Sequence, residues 1–368
     1  MKPQPFHHLC AILRAGLGSG DPARLAQELG RIGDWPGLIQ AADRHHVLPV
    51  LGPALQRAGL IERLPAEVAD LFAFIHGANI ERNTRLRHSL IEVVALLNQH
   101  GIEPTLLKGA IRLTDDLYPD PGWRIMADLD LLVADQAGRA FELLVARGYR
   151  PPDQAGTPEH HLPTLIHPHS GVQIELHRQV LHARVPPILQ PAELCRQARP
   201  VRLDGAVALL PDPTSQLLHL IVHHQLSNRG LTHGRVSLRT LLEAGLLVAQ
   251  LRPDEVEAAL ARLGGFGHRR AGSVLLAGLQ AFLGIEPAGF APDRLDRLHC
   301  RIASLRQRHP RLLALQREAA FLAMLLGRLR HAEARQRLMR GLRDPAYRQR
   351  RRDELGRLGA AFDPRMRF

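Results

Sequence analysis

The run Asp-Leu-Asp-Leu-Leu-Val-Ala at 128–134 constrains the fold more than any other segment of the chain. Successive side chains of a strand point to opposite faces, so Asp128 and Asp130 share one face while Leu129, Leu131 and Val133 turn to the other. At ~3.4 Å of rise per residue, the two carboxylates stand about 7 Å apart along the chain. Carboxylates paired on a strand flanked by core residues repel each other unless something positive sits between them, and a divalent cation is the usual answer. The plainer alternative is an edge pair facing solvent.

A second alternating run, Val-Gln-Ile-Glu-Leu-His at 172–177, sets Gln173, Glu175 and His177 on one face and Val172, Ile174 and Leu176 on the other. It closes a segment, 162–177, that reads as a hairpin around His169, Ser170 and Gly171. If this strand lies beside 128–134, then Asp128, Asp130 and Glu175 converge. They would offer oxygen ligands to one or two Mg²⁺ ions, with Mn²⁺ an alternative, and such ions also hold substrate phosphates. His177 shares the face of Glu175, where it orients that carboxylate, contacts phosphate or caps the strand.

Residues 102–109 read as a strand ending at Lys108-Gly109, followed by a short helix over 110–118. Gly109 lets a ligand approach the backbone, and the amides and dipole at the helix start favour phosphate. Lys108 and Arg124 are placed to supply charge to the same phosphates. Of 48 basic side chains only Lys2 and Lys108 are lysines, so Lys108 marks a place where a compact ammonium suits better than a guanidinium fork.

Around this block the chain reads as helical. Pro and Gly punctuate helices over 8–17, 22–32, 35–45 and 47–58, then a long one over 65–100. In the long segment Leu71, Phe74, Ile75, Ala78, Leu86, Leu90, Val93, Val94 and Leu97 recur at three- and four-residue steps, which predicts a buried face. Gly101 stands where its C-terminal cap belongs. Helices return over 214–225, 236–251, 253–263, 270–283, 292–305 and 311–329. The organisation expected is a helical region at 1–100, an α/β core at 101–210, a helical bundle at 211–327 and an Arg-rich tail at 328–368. No repeat of 20–50 residues stands out.

Taken in order, LLKG (106–109), YPDPGWR (118–124), DLDLLV (128–133) and VQIELH (172–177) resemble the uncharacterised nucleotidyltransferase family of bacteria, a branch of the polymerase-β-like nucleotidyltransferase superfamily. The resemblance runs from the lead-in QHGIEPTLLKG to the bundle beginning PTSQLLHLIVHH and fades in the tail. It implies an α+β fold, with a mixed-sheet core flanked by N- and C-terminal helical regions. It also implies metal-dependent transfer of a nucleoside monophosphate from an NTP such as ATP to a hydroxyl of a small molecule, peptide or protein. Asp128 and Asp130 then look like the paired metal ligands, and Glu175 like the third carboxylate, which binds metal and accepts the acceptor's proton.

Lys108 and Gly109 fall where the wider superfamily carries a Gly-Ser phosphate turn. Lys-Gly-Ala (108–110) replaces that turn, and Ala127 replaces the small hydroxyl or Gly before the first Asp. Phosphate binding would then rest on Lys108, backbone amides and Arg124. A second class of function is a degenerate nucleotidyltransferase fold serving as a nucleotide-sensing or partner-binding module.

Other chemistries find little support. Three widely spaced cysteines (Cys10, Cys195, Cys300) make neither a disulfide framework nor a Cys-based zinc site, and a reducing cytoplasm fits them best. No window approaches the ~18–20 apolar residues of a membrane span, and the first residues lack the apolar core of an export signal. Among 21 histidines, His219 and His223 share a helix face, yet no HExxH pattern or nearby Cys accompanies them, so a packed or site-rim role is expected. Neither a G-x-S-x-G elbow nor a G-x-x-x-x-G-K-[ST] loop occurs.

The net charge of +12 sits mostly at the end of the chain. Residues 328–368 hold 13 Arg and five acids, giving +8 and leaving +4 for the first 327 residues. RNA or another acidic partner is the sharper reading of this tail, and a solvated helix or frayed end the plainer one. An RNA-binding tail predicts affinity that falls steeply with salt and disappears when 328–368 are removed. Filter binding across a salt series checks this, and unchanged retention after truncation excludes it.

Overall fold

The computed structural model describes residues 5–151 and 160–308; the predicted helix over 311–329 and the Arg-rich tail lie outside them. Four helices open the chain: α1 (Pro5–Gly16), α2 (Pro22–Leu29), α3 (Trp35–Arg44) and α4 (Leu48–Arg57). Asp21 and Asp34 cap α2 and α3 by accepting backbone N–H groups of the first turn, and each helix carries Pro within its first two positions. The long helix α5 (Ala66–Gln99) follows, and Gly101 after it takes a left-handed conformation (φ 73°), as a C-terminal cap requires.

The first half of α5 buries a different face from the one its apolar spacing predicts. Phe74 is 73% exposed and Ala78 is also exposed, while Phe72, Asn79 and Asn83 are buried in line with Leu86, Leu90 and Leu97. The reason is a polar task. Asn79 Nδ2 donates to the carbonyls of Gly122 (2.7 Å) and Arg124 (3.0 Å), and Asn83 Nδ2 donates to those of Pro121 (2.6 Å) and Arg124 (2.9 Å). His76 adds a 2.7 Å contact to Asp120 Oδ1, and a side chain at Gly122 would strike the His76 ring. The helix thereby clamps the loop 119–124 that leads into the acidic strand.

Six strands form one mixed sheet in the order β3-β4-β2-β1-β6-β5. They are β1 (Thr105–Leu107), β2 (Asp128–Leu132), β3 (Leu165–Ile166), β4 (Gln173–His177), β5 (Arg199–Leu203) and β6 (Ala206–Leu210). Only β2 with β4 and β1 with β6 run parallel. The β3–β4 hairpin turns through Gly171 (φ 71°) and is tied to α5 by His167–Glu92 (2.7 Å) and Ser89–Ser170 (2.8 Å). Asp204-Gly205, both at positive φ, make the tight turn between β5 and β6.

Between β1 and β2 the predicted helix over 110–118 shortens to α6 (Lys108–Ile111), because Arg112 is drawn out to Asp115, Gln216 and Glu243. After β2 comes α7 (Ala137–Ala146), and α8 (Pro191–Gln197) precedes β5. The remaining helices are α9 (Pro213–Ile221), α10 (Gly230–His233), α11 (Leu238–Val248), α12 (Pro253–Gly265), α13 (Arg269–Gly278) and α14 (Arg294–Arg308). Both α9 and α13 continue into a π-helical turn.

Two apolar cores hold these elements. One face of the sheet, with Leu106, Leu129, Leu131 and Ile174, packs on the second half of α5 and on α7. The opposite face contributes Leu107 and Leu132 to a second core, shared by α1, α4, α9, α11 and α13. By strand parity that opposite face is also the one carrying Asp128, Asp130, Glu175 and His177, so the carboxylates look toward the helices. Replacing Asn83 with Ala takes the side-chain donor from the Pro121 carbonyl and leaves the Arg124 carbonyl to Asn79 alone, which should cost about 1–3 kcal/mol, read as a lower midpoint in urea unfolding.

Candidate active site

Pairing of β2 with β4 builds the site. Their parallel register sets Asp130 opposite Glu175, Asp128 opposite Gln173 and Leu132 opposite His177, which is the adjacency expected of the two alternating runs. Antiparallel pairing with β1 then puts Leu107 opposite Asp130, so the next residue, Lys108, rises beside it. Lys108 holds φ at 46°, a left-handed conformation that a non-glycine residue adopts at a cost of about 1–3 kcal/mol. Its Nζ lies 2.5 Å from Asp130 Oδ1 and 4.0 Å from Glu175 Oε2.

Asp130 is 1% exposed, and an isolated carboxylate could not stay ionised there. Burial pushes its carboxyl up, but the Lys108 ammonium and the His177 hydrogen bond (Nε2 to Oδ1, 2.8 Å) outweigh burial and hold it well below the usual range. Glu175 is half-buried and also held low, first by His177 (Nε2 to Oε2, 3.6 Å). His161 Nε2 stands 3.6 Å from the same oxygen, and its Nδ1 donates to the Leu162 carbonyl. Burial lowers the His177 imidazole, yet its bonds to Asp130 and Glu175 prevail and raise it. Asp130, Glu175 and His177 offer ligand atoms within 4.8 Å of one another.

Asp128 stands apart from this trio. It is half-buried, makes no hydrogen bond or ion pair among the described residues, and has its carboxyl pushed up by burial and then by Asp130 and Glu175. The trio expected for metal therefore overlaps the compact one in Asp130 and Glu175, with His177 inside the cluster and Asp128 at its edge.

Gly109 and Arg124 meet near the same turn. A side chain at Gly109 would come within 3.2 Å of Met126, so the glycine serves close packing of the 124–126 segment. Arg124 is buried; its Nε donates to Glu243 Oε2 at 3.0 Å and its Nη1 to the Ile125 carbonyl. Glu243, on α11, also accepts from Arg112 Nε (3.0 Å) and Tyr118 Oη (3.3 Å). Burial opposes its charge, but Arg124 and Arg112 outweigh that and hold it at about 2. Residue patterning passes over Glu243, although its signal is visible: one carboxylate inside the otherwise apolar helix stretch LLEAGLLV (241–248).

A cavity of about 350 Å³ opens between the sheet and the helices. Lys108, Gly109, Arg124, Asp128 and Asp130 form its core-side wall, and His219, His223 and Arg239 stand on the helical side. Burial pushes His219 down to about 3 and His223 down to about 4, so both are neutral near pH 7. Both imidazoles line the cavity, His219 packed at 6% exposure. A larger groove of about 1010 Å³, between α1, α2 and α14, contains none of these carboxylates.

The raised Asp128 carboxyl predicts a pH effect. A group whose pKa is higher folded than unfolded lowers stability progressively as pH rises through its titration. Asp128→Asn should therefore raise Tm in chelator at pH 7, by roughly 2 °C, with the gain vanishing below pH ~4. Thermal melts of both proteins across that range test it.

A search of curated proteins returns no match. Among solved structures the chain is similar to an antigenic nucleotidyltransferase-like protein from Paracoccidioides brasiliensis, at 14% identity and a TM-score of 0.34, over 55% of this chain and 94% of that one. The model of one family, described as uncharacterised nucleotidyltransferase, matches residues 33–284, a span that takes in the clamped loop, both acidic strands and Glu243. On that match the chain belongs to the uncharacterised nucleotidyltransferase family.

Proposed function

We propose that this chain transfers a nucleoside monophosphate from an NTP to an acceptor hydroxyl, releasing pyrophosphate, with the aid of a divalent cation. The observation that carries this reading is the β2–β4 register, which lines up Asp130 with Glu175 and keeps Asp128 on the same face of a cavity-lining strand. The donor set fits a divalent cation: two carboxylates and an imidazole cluster within 4.8 Å, and beside them the half-buried Asp128 makes no hydrogen bond or ion pair among the described residues and has its carboxyl pushed up. Asp128, Asp130 and Glu175 would hold it, with Mg²⁺ suited to the oxygen donors and Mn²⁺ tolerating the imidazole as well. When bound, such a cation neutralises triphosphate charge and assists departure of pyrophosphate.

The chain's own groups then have distinct tasks. Glu175, kept ionised by His177, accepts the proton of the acceptor hydroxyl as its oxygen bonds to the α-phosphorus. The bond from that phosphorus to the bridging oxygen breaks, and the electron pair leaves with pyrophosphate. His177 positions both carboxylates through one ring nitrogen. Lys108 offers its ammonium to phosphate oxygens from the cavity wall, beside the Gly109 turn. Arg124 adds positive potential there while Glu243 fixes its direction.

Two features favour the second reading, a nucleotide-sensing module without turnover. Lys108 is already engaged by Asp130, and the Arg124 charge is balanced by Glu243. Pyrophosphate release measured across a panel of NTPs with Mg²⁺ or Mn²⁺ separates the two. Asp128→Asn and Asp130→Asn should each lower it by about 10²-fold or more, the scale of losing a principal electrostatic group. Full activity in both variants would sink the catalytic assignment, and nucleotide binding without turnover would favour the module.

A further inference from the structure

Three polar groups in the cavity wall lack partners among the described residues. Arg239, on α11, is half-buried, makes no hydrogen bond and has no carboxylate within 4.0 Å. It stands one helical turn before Glu243, whose two oxygens are taken by Arg112, Arg124 and Tyr118. On the helical side, His219 is 6% exposed, and its buried Nε2 has no hydrogen-bond partner. Across the cavity Asp128 makes no hydrogen bond or ion pair among the described residues and feels the charges of Lys108 and Arg124 only at longer range. Burying a guanidinium or an imidazole N–H without a partner is unfavourable, and a ligand that meets these groups removes the penalty. Burial, and then the charge of Arg124, already depress the Arg239 guanidinium.

The arrangement is polar in one direction. Lys108 and Arg124 on the sheet side and Glu243 on the helical side are already engaged in ion pairs, which leaves Asp128 facing from the sheet and Arg239 with the neutral imidazoles of His219 and His223 facing from the helices. A neutral imidazole donates a hydrogen bond without adding charge, and a guanidinium binds phosphate through two parallel N–H groups. A cation–phosphate ligand matches that polarity end to end. We propose that Arg239 is the phosphate-binding residue contributed by the helical region: its guanidinium takes a phosphate group of the substrate, with the His219 imidazole donating beside it. This rests on the nucleotidyl-transfer reading only for the identity of the phosphate compound, not for the existence of the site.

The test is calorimetric titration of the full chain with inorganic tripolyphosphate and Mg²⁺, for the parent protein, Arg239→Gln and Arg239→Lys. Arg239→Gln should weaken binding roughly 10- to 100-fold, the loss of a charge-assisted bidentate contact, and should make its salt dependence shallower. Arg239→Lys should recover part of the affinity. Melting of the unliganded Arg239→Gln protein should stay unchanged or rise, because an unmet buried charge is removed. A guanidinium serving only as a structural counter-ion would lower that melting point and leave tripolyphosphate affinity intact.

Undiminished affinity in Arg239→Gln overturns the proposal. So does a lowered melting point in Arg239→Gln together with no recovery in Arg239→Lys. Competition by a non-hydrolysable ATP analogue assigns the phosphate to the nucleotide. Arg239-dependent binding of inorganic phosphate on top of that analogue assigns it to the acceptor. The two readings fail separately: turnover that survives Asp128→Asn and Asp130→Asn defeats the catalytic assignment alone, and Arg239-independent phosphate binding defeats this one alone.

Discussion

The buried charge of Asp130 is the constraint on which the site depends. A carboxylate at 1% exposure persists as an anion only because Lys108 and His177 both reach the same oxygen. Each of those groups is delivered by a separate strand pairing, Lys108 by β1 with β2 and His177 by β4 with β2. Sliding β4 by one residue would turn His177 and Glu175 to the opposite face and leave Asp130 short of one donor. The register is also fixed by the apolar side, since Leu129, Leu131 and Ile174 face the α5–α7 core. Apolar packing and the site's electrostatics thus select the same alignment.

A second buried charge joins the sheet to the helices. Glu243 binds Arg112 from the turn after α6, Arg124 from the clamped loop and Tyr118 between them. Removing one member of such a network leaves an uncompensated charge, which is why buried ion pairs restrict geometry more reliably than they add stability. Asn79 and Asn83 of α5 hold the same loop from the other side, through the Arg124 carbonyl. The guanidinium is therefore fixed by its own backbone and by a partner 119 residues away. Arg239 shares the helix of Glu243 without sharing its contacts, which leaves its charge directed into the cavity wall.

Much of this was legible in residue order. Asp128 and Asp130 on one strand face, Glu175 and His177 on another, the hairpin between 162 and 177, and the helical flanks all follow from local periodicity. The neighbouring position of the two strands was a conditional expectation that the pairing bears out. Apolar spacing alone points to the wrong face for the first half of α5, because the asparagines that face inward answer to backbone carbonyls some 40 residues on. Local pattern overextends the helix after Lys108, since nothing local announces that Arg112 leaves the helix for Glu243.

Sequence by itself determined the period-two faces, the family resemblance and the singular position of Lys108, because strand alternation and short motifs are written in neighbouring residues. Tertiary structure alone decided which charges neutralise one another. It set Lys108 on Asp130, drew His177 into the carboxylate cluster, left Asp128 and Arg239 without a hydrogen bond or ion pair among the described residues, and matched Arg124 with Glu243. The physical reason is range. Side-chain alternation is a property of each strand's own backbone, whereas the balance of a buried charge is settled by whichever distant group packing brings within a few ångströms.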